Sequence, residues 1–293
     1  MHKNLRNIKP PYFEGWYFKH DNGSKTISFV VGRNIDYNGA GSAFIQIITE
    51  DASYNINYNL SEFRIFKKNN TIKIAKSFFS ENGVYIDIDT PDIKIKGKIN
   101  YSRLIPYKKS IMGPFDLIPN FACSHKIISM EHRIFGKLHI NSKLIEFKCG
   151  YGYIESDSGH SFPEHYTWVQ CNNFENIKAS LMLAVADISL FGKHFDGTVC
   201  AIRYKNSEYR LATYLGAKVE FCTNFCIIIT QGKYKLVVKL SNAKGHKLFA
   251  PKNGNMSRAI EEYICAAGKV WFYEYDRLIF YGNSRRVSYE VVK

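Results

Sequence analysis

Short runs of alternating apolar and polar residues, cut by Asn, Gly and Pro, recur along most of the chain. This alternation constrains the fold more than any other feature. A period of two places successive side chains on opposite faces of a strand, which a helix cannot satisfy. TISFVVGR (26–33), TIKIAK (71–76), DIKIKGKI (92–99) and KYKLVVKL (233–240) all read this way. The breaks between runs are turn chemistry: Asp21-Asn22-Gly23-Ser24, Asn69-Asn70, Glu81-Asn82-Gly83 and Thr90-Pro91-Asp92. Many short strands at this spacing predict an all-β, antiparallel chain built as a sandwich or barrel.

The series opens with YFEGWYFKH (12–20), an aromatic strand on which Glu14, Trp16, Phe18 and His20 share one face. Phe13, Tyr17 and Lys19 share the other. The turn at 21–24 makes 12–20 and 26–33 a hairpin. Further strands are expected at 42–50, 53–60, 62–67, 71–76, 83–89 and 92–101. Pro106, Pro114 and Pro119 interrupt the rhythm, so 102–123 is expected to be a crossing loop with a short helical turn. Strands resume at 124–133, 135–140, 144–155 and 164–172. A second meander runs from 178 to 241, and residues 245–256 read as a loop. SRAIEEYICAA (257–267) is the best helix candidate, with Ser257 as cap, two early glutamates and Gly268 as terminator, although a strand there stays open. Strands at 269–275, 278–282 and 286–292 end the chain. Trp16 and Trp168 each follow a Glu on an aromatic strand, roughly half a chain apart. This echo predicts two successive barrel halves, 1–140 and 141–293.

A chain of 293 residues can bury a core without disulfide or metal staples. The seven Cys form no CxxC pair, and the first twenty residues lack the apolar core of a secretory signal. Reduced thiols in a cytoplasmic setting are therefore expected. No apolar run is long enough to span a membrane, and Asp187 interrupts LMLAVADISL (181–190). The net charge of +14 leaves peripheral contact with an anionic membrane open. The lysines alternate with Ile and Val instead of forming blocks, so a nucleic-acid partner is not expected. Oligomeric state is not legible.

Residues 112–174 concentrate the chemistry: His, Trp, Cys and Pro, with an acidic Gly-rich stretch between short strands. Alternation groups His125, Ile127, Ser129, Glu131 and Arg133 on one face. It groups Tyr151, Tyr153, Glu155 and Asp157 on another, and Glu164, Tyr166, Trp168, Gln170 and Asn172 on a third. Asp157 reads more simply as a turn residue. His160, Glu164 and His165 match no zinc spacing, and there is no Gly-x-Ser-x-Gly and no phosphate loop. No metal and no cofactor are expected.

FEGWYFK (13–19), MGPFDLIP (112–119), Met130–His132, GYGYIESDSGHSFPEHYTWVQCNNF (150–174) and MSRAIEE (256–262) together resemble the tocopherol cyclase-like family. The resemblance spans residue 11 to the C-terminus and is densest at 112–174. It implies two tandem lipocalin-like (calycin) β-barrels. Gly15–Tyr17 is similar to the Gly-x-Trp of a first lipocalin strand, one residue short. The resemblance further implies cofactor-free, acid-catalysed cyclisation: a prenyl double bond is protonated and a phenol oxygen captures the cation.

That chemistry asks for a buried carboxylic acid with a raised pKa, aromatic walls for the cation and exclusion of water. Glu14, Glu131 and Glu164 are the candidate acids. Trp16, His125, Tyr151, Tyr153, Glu155, Trp168, Gln170 and Asn172 are the candidate lining of a cavity for a prenyl or polyene molecule. The competing reading is a lipocalin-like carrier of a hydrophobic ligand with no chemistry. The two differ in whether a buried carboxyl faces the ligand.

Overall fold

The period-two runs form twenty-one strands among the described residues, and no α-helix occurs there. The computed structural model describes residues 9–118, 121–190 and 193–293. The first sheet holds β1 (Tyr12–Asp21), β2 (Thr26–Ile35), β3 (Gly41–Thr49), β4 (Ser53–Asn59), β5 (Phe63–Phe66) and β6 (Thr71–Ile74). It continues with β7 (Ser77–Ser80), β8 (Gly83–Asp89), β9 (Lys94–Tyr101), β10 (Cys123–Ile140) and β11 (Lys143–Gly159). The second sheet holds β12 (Tyr166–Cys171), β13 (Ala179–Leu190), β14 (Lys193–Tyr204), β15 (Ser207–Ala212) and β16 (Lys218–Cys222). It is completed by β17 (Cys226–Gln231), β18 (Tyr234–Leu240), β19 (His246–Lys252), β20 (Asn255–Glu274) and β21 (Arg277–Val292).

The two sheets share one plan. Their orders are β4-β3-β2-β1-β11-β10-β9-β8-β7-β6-β5 and β15-β14-β13-β12-β21-β20-β18-β17-β16, with β19 on β20. In each, four strands run as a meander and the first also pairs with the last. The outermost strands are consecutive in the chain, and a 3-10 turn carries the chain from one to the other: Leu60–Glu62 in the first sheet, Thr213–Leu215 in the second. Each sheet thus curls toward closure as a lipocalin-like barrel, which leaves few strand edges unpaired. The first encloses Phe18, Phe29, Ile45, Phe79, Ile86 and Ile134. The second encloses Leu183, Ile202, Ile229, Leu236 and Phe272.

The compact units are not consecutive halves. The first comprises 1–106, 122–162 and 248–259; the second comprises 107–121, 163–247 and 260–293. Residues 140 and 141, the expected boundary, lie in the β10–β11 hairpin, whose strands pair from Cys123–Gly159 to Ile140–Lys143. A cut there would sever the longest ladder of the first sheet.

Two further expectations are corrected. Residues 245–256 form a hairpin, with Asn253 and Gly254 at positive φ in its turn. The tip packs over β2 and β3 in the first unit: Asn34 donates to the Gly254 carbonyl at 2.9 Å, and Gln46 exchanges hydrogen bonds with the Phe249 backbone. Residues 257–267 are strand, not helix: Ile260, Glu262, Ile264 and Ala266 are buried in alternation. The crossing loop does carry its helical turn, a 3-10 segment at Gly113–Leu117. Pro119 lies outside the described residues.

Candidate active site

The β1–β11 ladder decides which groups meet. Trp16 pairs with Ser156, Phe18 with Ile154 and His20 with Gly152. Trp16, Phe18 and Ile154 belong to the apolar core of the first unit, and the His20 ring meets Phe29 and Phe147 of that core. Tyr17 pairs with Glu155 and Lys19 with Tyr153, so Tyr17, Lys19, Tyr153, Glu155 and Asp157 occupy the opposite face. Tyr17, Lys19, Tyr153 and Glu155 are nevertheless buried. Strand β10 adds His125 opposite Asp157 and Ile127 opposite Glu155.

On that face His125 lies between two carboxylates. Its Nδ1 is 2.8 Å from Asp157 Oδ1 and its Nε2 is 3.4 Å from Glu155 Oε2. Tyr153 donates a short hydrogen bond of 2.5 Å to Glu155. The Tyr17 ring meets the Tyr153 ring edge-on, and Ser28 donates to the Tyr17 hydroxyl at 2.9 Å. Burial alone would pull the His125 imidazole down. The charges of Asp157 and Glu155 and the hydrogen bond to Asp157 outweigh it and raise the pKa to about 9. Burial, then Glu155, pushes the Tyr153 phenol well up. Cys123 approaches Asp157 at 3.7 Å, and burial with that carboxylate keeps it a thiol.

The ligand atoms of His125, Glu155 and Asp157 lie within 4.8 Å of one another, close enough for a metal ion. Both imidazole nitrogens are turned to carboxylates, an arrangement that also suits an imidazolium held between two anions. The imidazolium is held from both sides beside a buried carboxylate that also accepts from a phenol. Such a set can donate a proton at one atom and receive one at another.

The structure therefore brings together three residues expected at the site, His125, Tyr153 and Glu155. It adds Asp157, which lies on β11 and not in a turn. Tyr151 shares their face but is half-buried, with the Arg133 guanidinium 4.1 Å from its ring centroid. Trp16 is a core residue stacked on Phe63. Trp168, Gln170 and Asn172 are buried in the second unit. There Val169 and Cys171, not Trp168, join the apolar core, so Trp16 and Trp168 take opposite faces of their sheets.

The expected acids fare differently. Glu14 is buried but accepts an ion pair and a hydrogen bond from Arg33, and Tyr12 donates to it at 3.3 Å. Burial raises its pKa, against the lowering effect of Arg33. Glu131 is half-buried at an irregular point of β10, bridged to Ile105. Glu164 is exposed, so it does not offer the dry, water-excluded site that the expected chemistry asks for.

A second polar group, missed in the sequence, lies inside the first unit. The His20 Nε2 is 2.6 Å from the Tyr101 hydroxyl, the Tyr101 and His132 rings are 4.4 Å apart, and His132 Nδ1 is 3.0 Å from Ser129 Oγ. Burial drives both imidazoles down to about 3, so they are neutral. Gly152 pairs with both histidines, which the Gly-Tyr-Gly-Tyr spacing of 150–153 could have signalled.

The tocopherol cyclase-like family pattern matches residues 90–291, more than half of the chain. The chain belongs to the tocopherol cyclase-like family. No curated protein matches the sequence. Among solved structures, this tocopherol cyclase-like chain is similar to a protein designated AttH from Nitrosomonas europaea, with TM-score 0.56 and 8% identity over 100% of this chain and 97% of that one. It is equally similar to kievitone hydratase from Nectria haematococca, with TM-score 0.56 and 7% identity over 96% and 89% of the two chains. At such identities these likenesses speak for the tocopherol cyclase-like fold alone.

Proposed function

We propose that this tocopherol cyclase-like protein is an enzyme that adds an O–H group across a carbon–carbon double bond of a hydrophobic small molecule, closing a ring. The observation that carries the reading is the placement of His125 between Asp157 and Glu155, with Tyr153 donating to Glu155; the two carboxylates raise the imidazole pKa to about 9, against burial. Addition of O–H to an alkene needs one proton delivered to carbon and one removed from oxygen. His125 supplies the first and Glu155 accepts the second, while the C–O bond forms. The proton then returns from Glu155 to His125 across their 3.4 Å contact, and the site is restored without another reactant. Asp157 is a positioning residue: it holds the imidazole protonated and oriented.

A donor near pKa 9 is weaker than the buried carboxylic acid expected from the sequence. It suits a double bond polarised by conjugation better than an isolated prenyl alkene. Kievitone hydratase is a hydratase by name, and hydration is the same addition with water as the O–H partner. Family membership supports a cyclase of this broad type.

The test is turnover of a prenylated hydroquinone with a conjugated side chain in deuterated water. The expected product carries one carbon-bound deuterium, and Glu155→Gln and His125→Gln each slow its formation by about 100-fold or more. Tight binding without turnover, unchanged in both variants, would replace the enzyme by a carrier.

A further inference from the structure

We infer that the outward face of β5–β11 is a docking surface for an anionic lipid bilayer. The strand registers place one continuous row across it. Arg64 pairs with Lys73, Lys73 with Phe78, Phe78 with Tyr85, Tyr85 with Lys98, Lys98 with Lys137 and Lys137 with Glu146. A parallel row carries Asn100, Phe135 and Lys148, and another carries Asp87, Lys96, His139 and Leu144. Phe66, Phe78, Phe135 and Leu144 are 36–49% exposed. Singly, such side chains need no explanation; set among lysines on one sheet face, they give that face an amphipathic character that a partner can use.

Charge complementarity names that partner. The acids on these rows are already matched: Asp87 lies 3.7 Å from Lys96, and Glu146 lies 3.0 Å from Lys148. Arg64, Lys73, Lys98 and Lys137 take part in no ion pair among the described residues. The face therefore presents a net positive field studded with phenylalanines. Lysines over acidic headgroups with aromatic rings at headgroup depth are how peripheral proteins hold a membrane. Single-stranded nucleic acid would instead need flat ring platforms. Phe78 and Tyr85 are tilted 51° to each other, and Lys73 sits 5.5 Å above the Phe78 ring. These rings are not laid out for successive bases, and Leu144 offers no π-face. The proposal is independent of the reaction above.

The experiment is co-sedimentation of the full chain with phosphatidylcholine vesicles, with and without about 30 mol% phosphatidylserine, at low and high salt. Binding is expected only with phosphatidylserine and to fade with salt. Each lysine near the surface contributes roughly a factor of five, so Lys98→Glu/Lys137→Glu weakens binding about 25-fold or more. Both residues are exposed, and circular dichroism verifies the fold. Lys218→Glu/Lys235→Glu makes the same charge change on the second unit and leaves binding within about twofold. Equal loss in the two double variants, or no vesicle binding, overturns the proposal. So does binding to a labelled oligouridylate at salt where vesicles are ignored.

Discussion

His125 and Asp157 are register partners across the β10–β11 ladder, and the same two residues close a 2.8 Å contact between Nδ1 and Oδ1. The backbone ladder therefore fixes the side-chain pair, and the imidazole stays protonated although burial opposes it. Asp157→Asn keeps the shape and removes one of the two charges that raise the pKa. The His125 titration, followed by NMR of the imidazole carbons, is expected to move from about 9 toward the ordinary value or below. A titration that stays where it was would assign the shift to something other than Asp157.

The same raised pKa ties stability to pH. A histidine whose folded pKa exceeds its unfolded value near 6.5 stabilises the fold fully below 6.5 and loses that contribution as pH rises through about 9. The window is therefore 6.5 to 9, and the most that this group contributes is about 3 kcal/mol. Urea unfolding of the parent is expected to weaken across this window. His125→Gln should be less stable at pH 6 and flatter across the range. An equally steep decline in the variant would place the linkage elsewhere.

His20 and His132 run the opposite way. Both are held neutral, with pKa lowered to about 3, and the unfolded chain binds their protons below about 6.5. Stability is then full above 6.5 and falls as the medium is acidified toward 3. Between pH 6.5 and 5 the loss is about 2 kcal/mol for each histidine. Calorimetric melting at pH 7 and pH 5 measures it. His20→Phe, which keeps an aromatic ring against Phe29 and Phe147, should melt with a smaller acid dependence than the parent.

The sequence displayed the strands and their faces wherever pairing is regular. On β1 the set Glu14, Trp16, Phe18 and His20 does share one face, because its ladders with β2 and β11 run without a shift. Strand β10 defeats the same rule. Its register slips between Ile127 and Ser129 and again between Ser129 and His132, so Ser129 turns to the face opposite His125. A bulge leaves no mark in alternation. The strand at 257–267 was obscured differently: the buried Glu262 breaks the apolar period, and the neighbouring Ala and Glu imitate a helix. Arg33, the partner of Glu14, was invisible because pairing across a hairpin depends on a register that no single strand encodes.

Gly152 makes room for the buried histidines. A Cβ at this position would sit 2.2 Å from His132 Nε2. The ring cannot retreat easily, since Ser129 holds Nδ1 and Tyr101 packs against it. Gly152→Ala is expected to destabilise the protein by about 1–3 kcal/mol through overpacking. Chemical denaturation reads this directly, and a neutral result would show that the His132 ring moves freely.

Glu14 and Arg33 test whether a candidate acid is structural. Their side chains are 5% and 4% exposed, and the Arg33 guanidinium also lies 5.1 Å from the Phe63 ring centroid. Removing one partner of a buried pair strands the other charge, at a cost of about 3–5 kcal/mol. Replacing both with apolar residues of similar size removes the desolvation penalty as well as the attraction. Arg33→Met alone should therefore be severely destabilised, and Glu14→Leu/Arg33→Met should recover much of the loss. If Glu14 serves only the fold, the double variant also keeps whatever turnover the parent shows, because His125 and Glu155 project from the opposite sheet face. Recovered stability with abolished turnover would return Glu14 to the list of proton donors and displace His125 from that role.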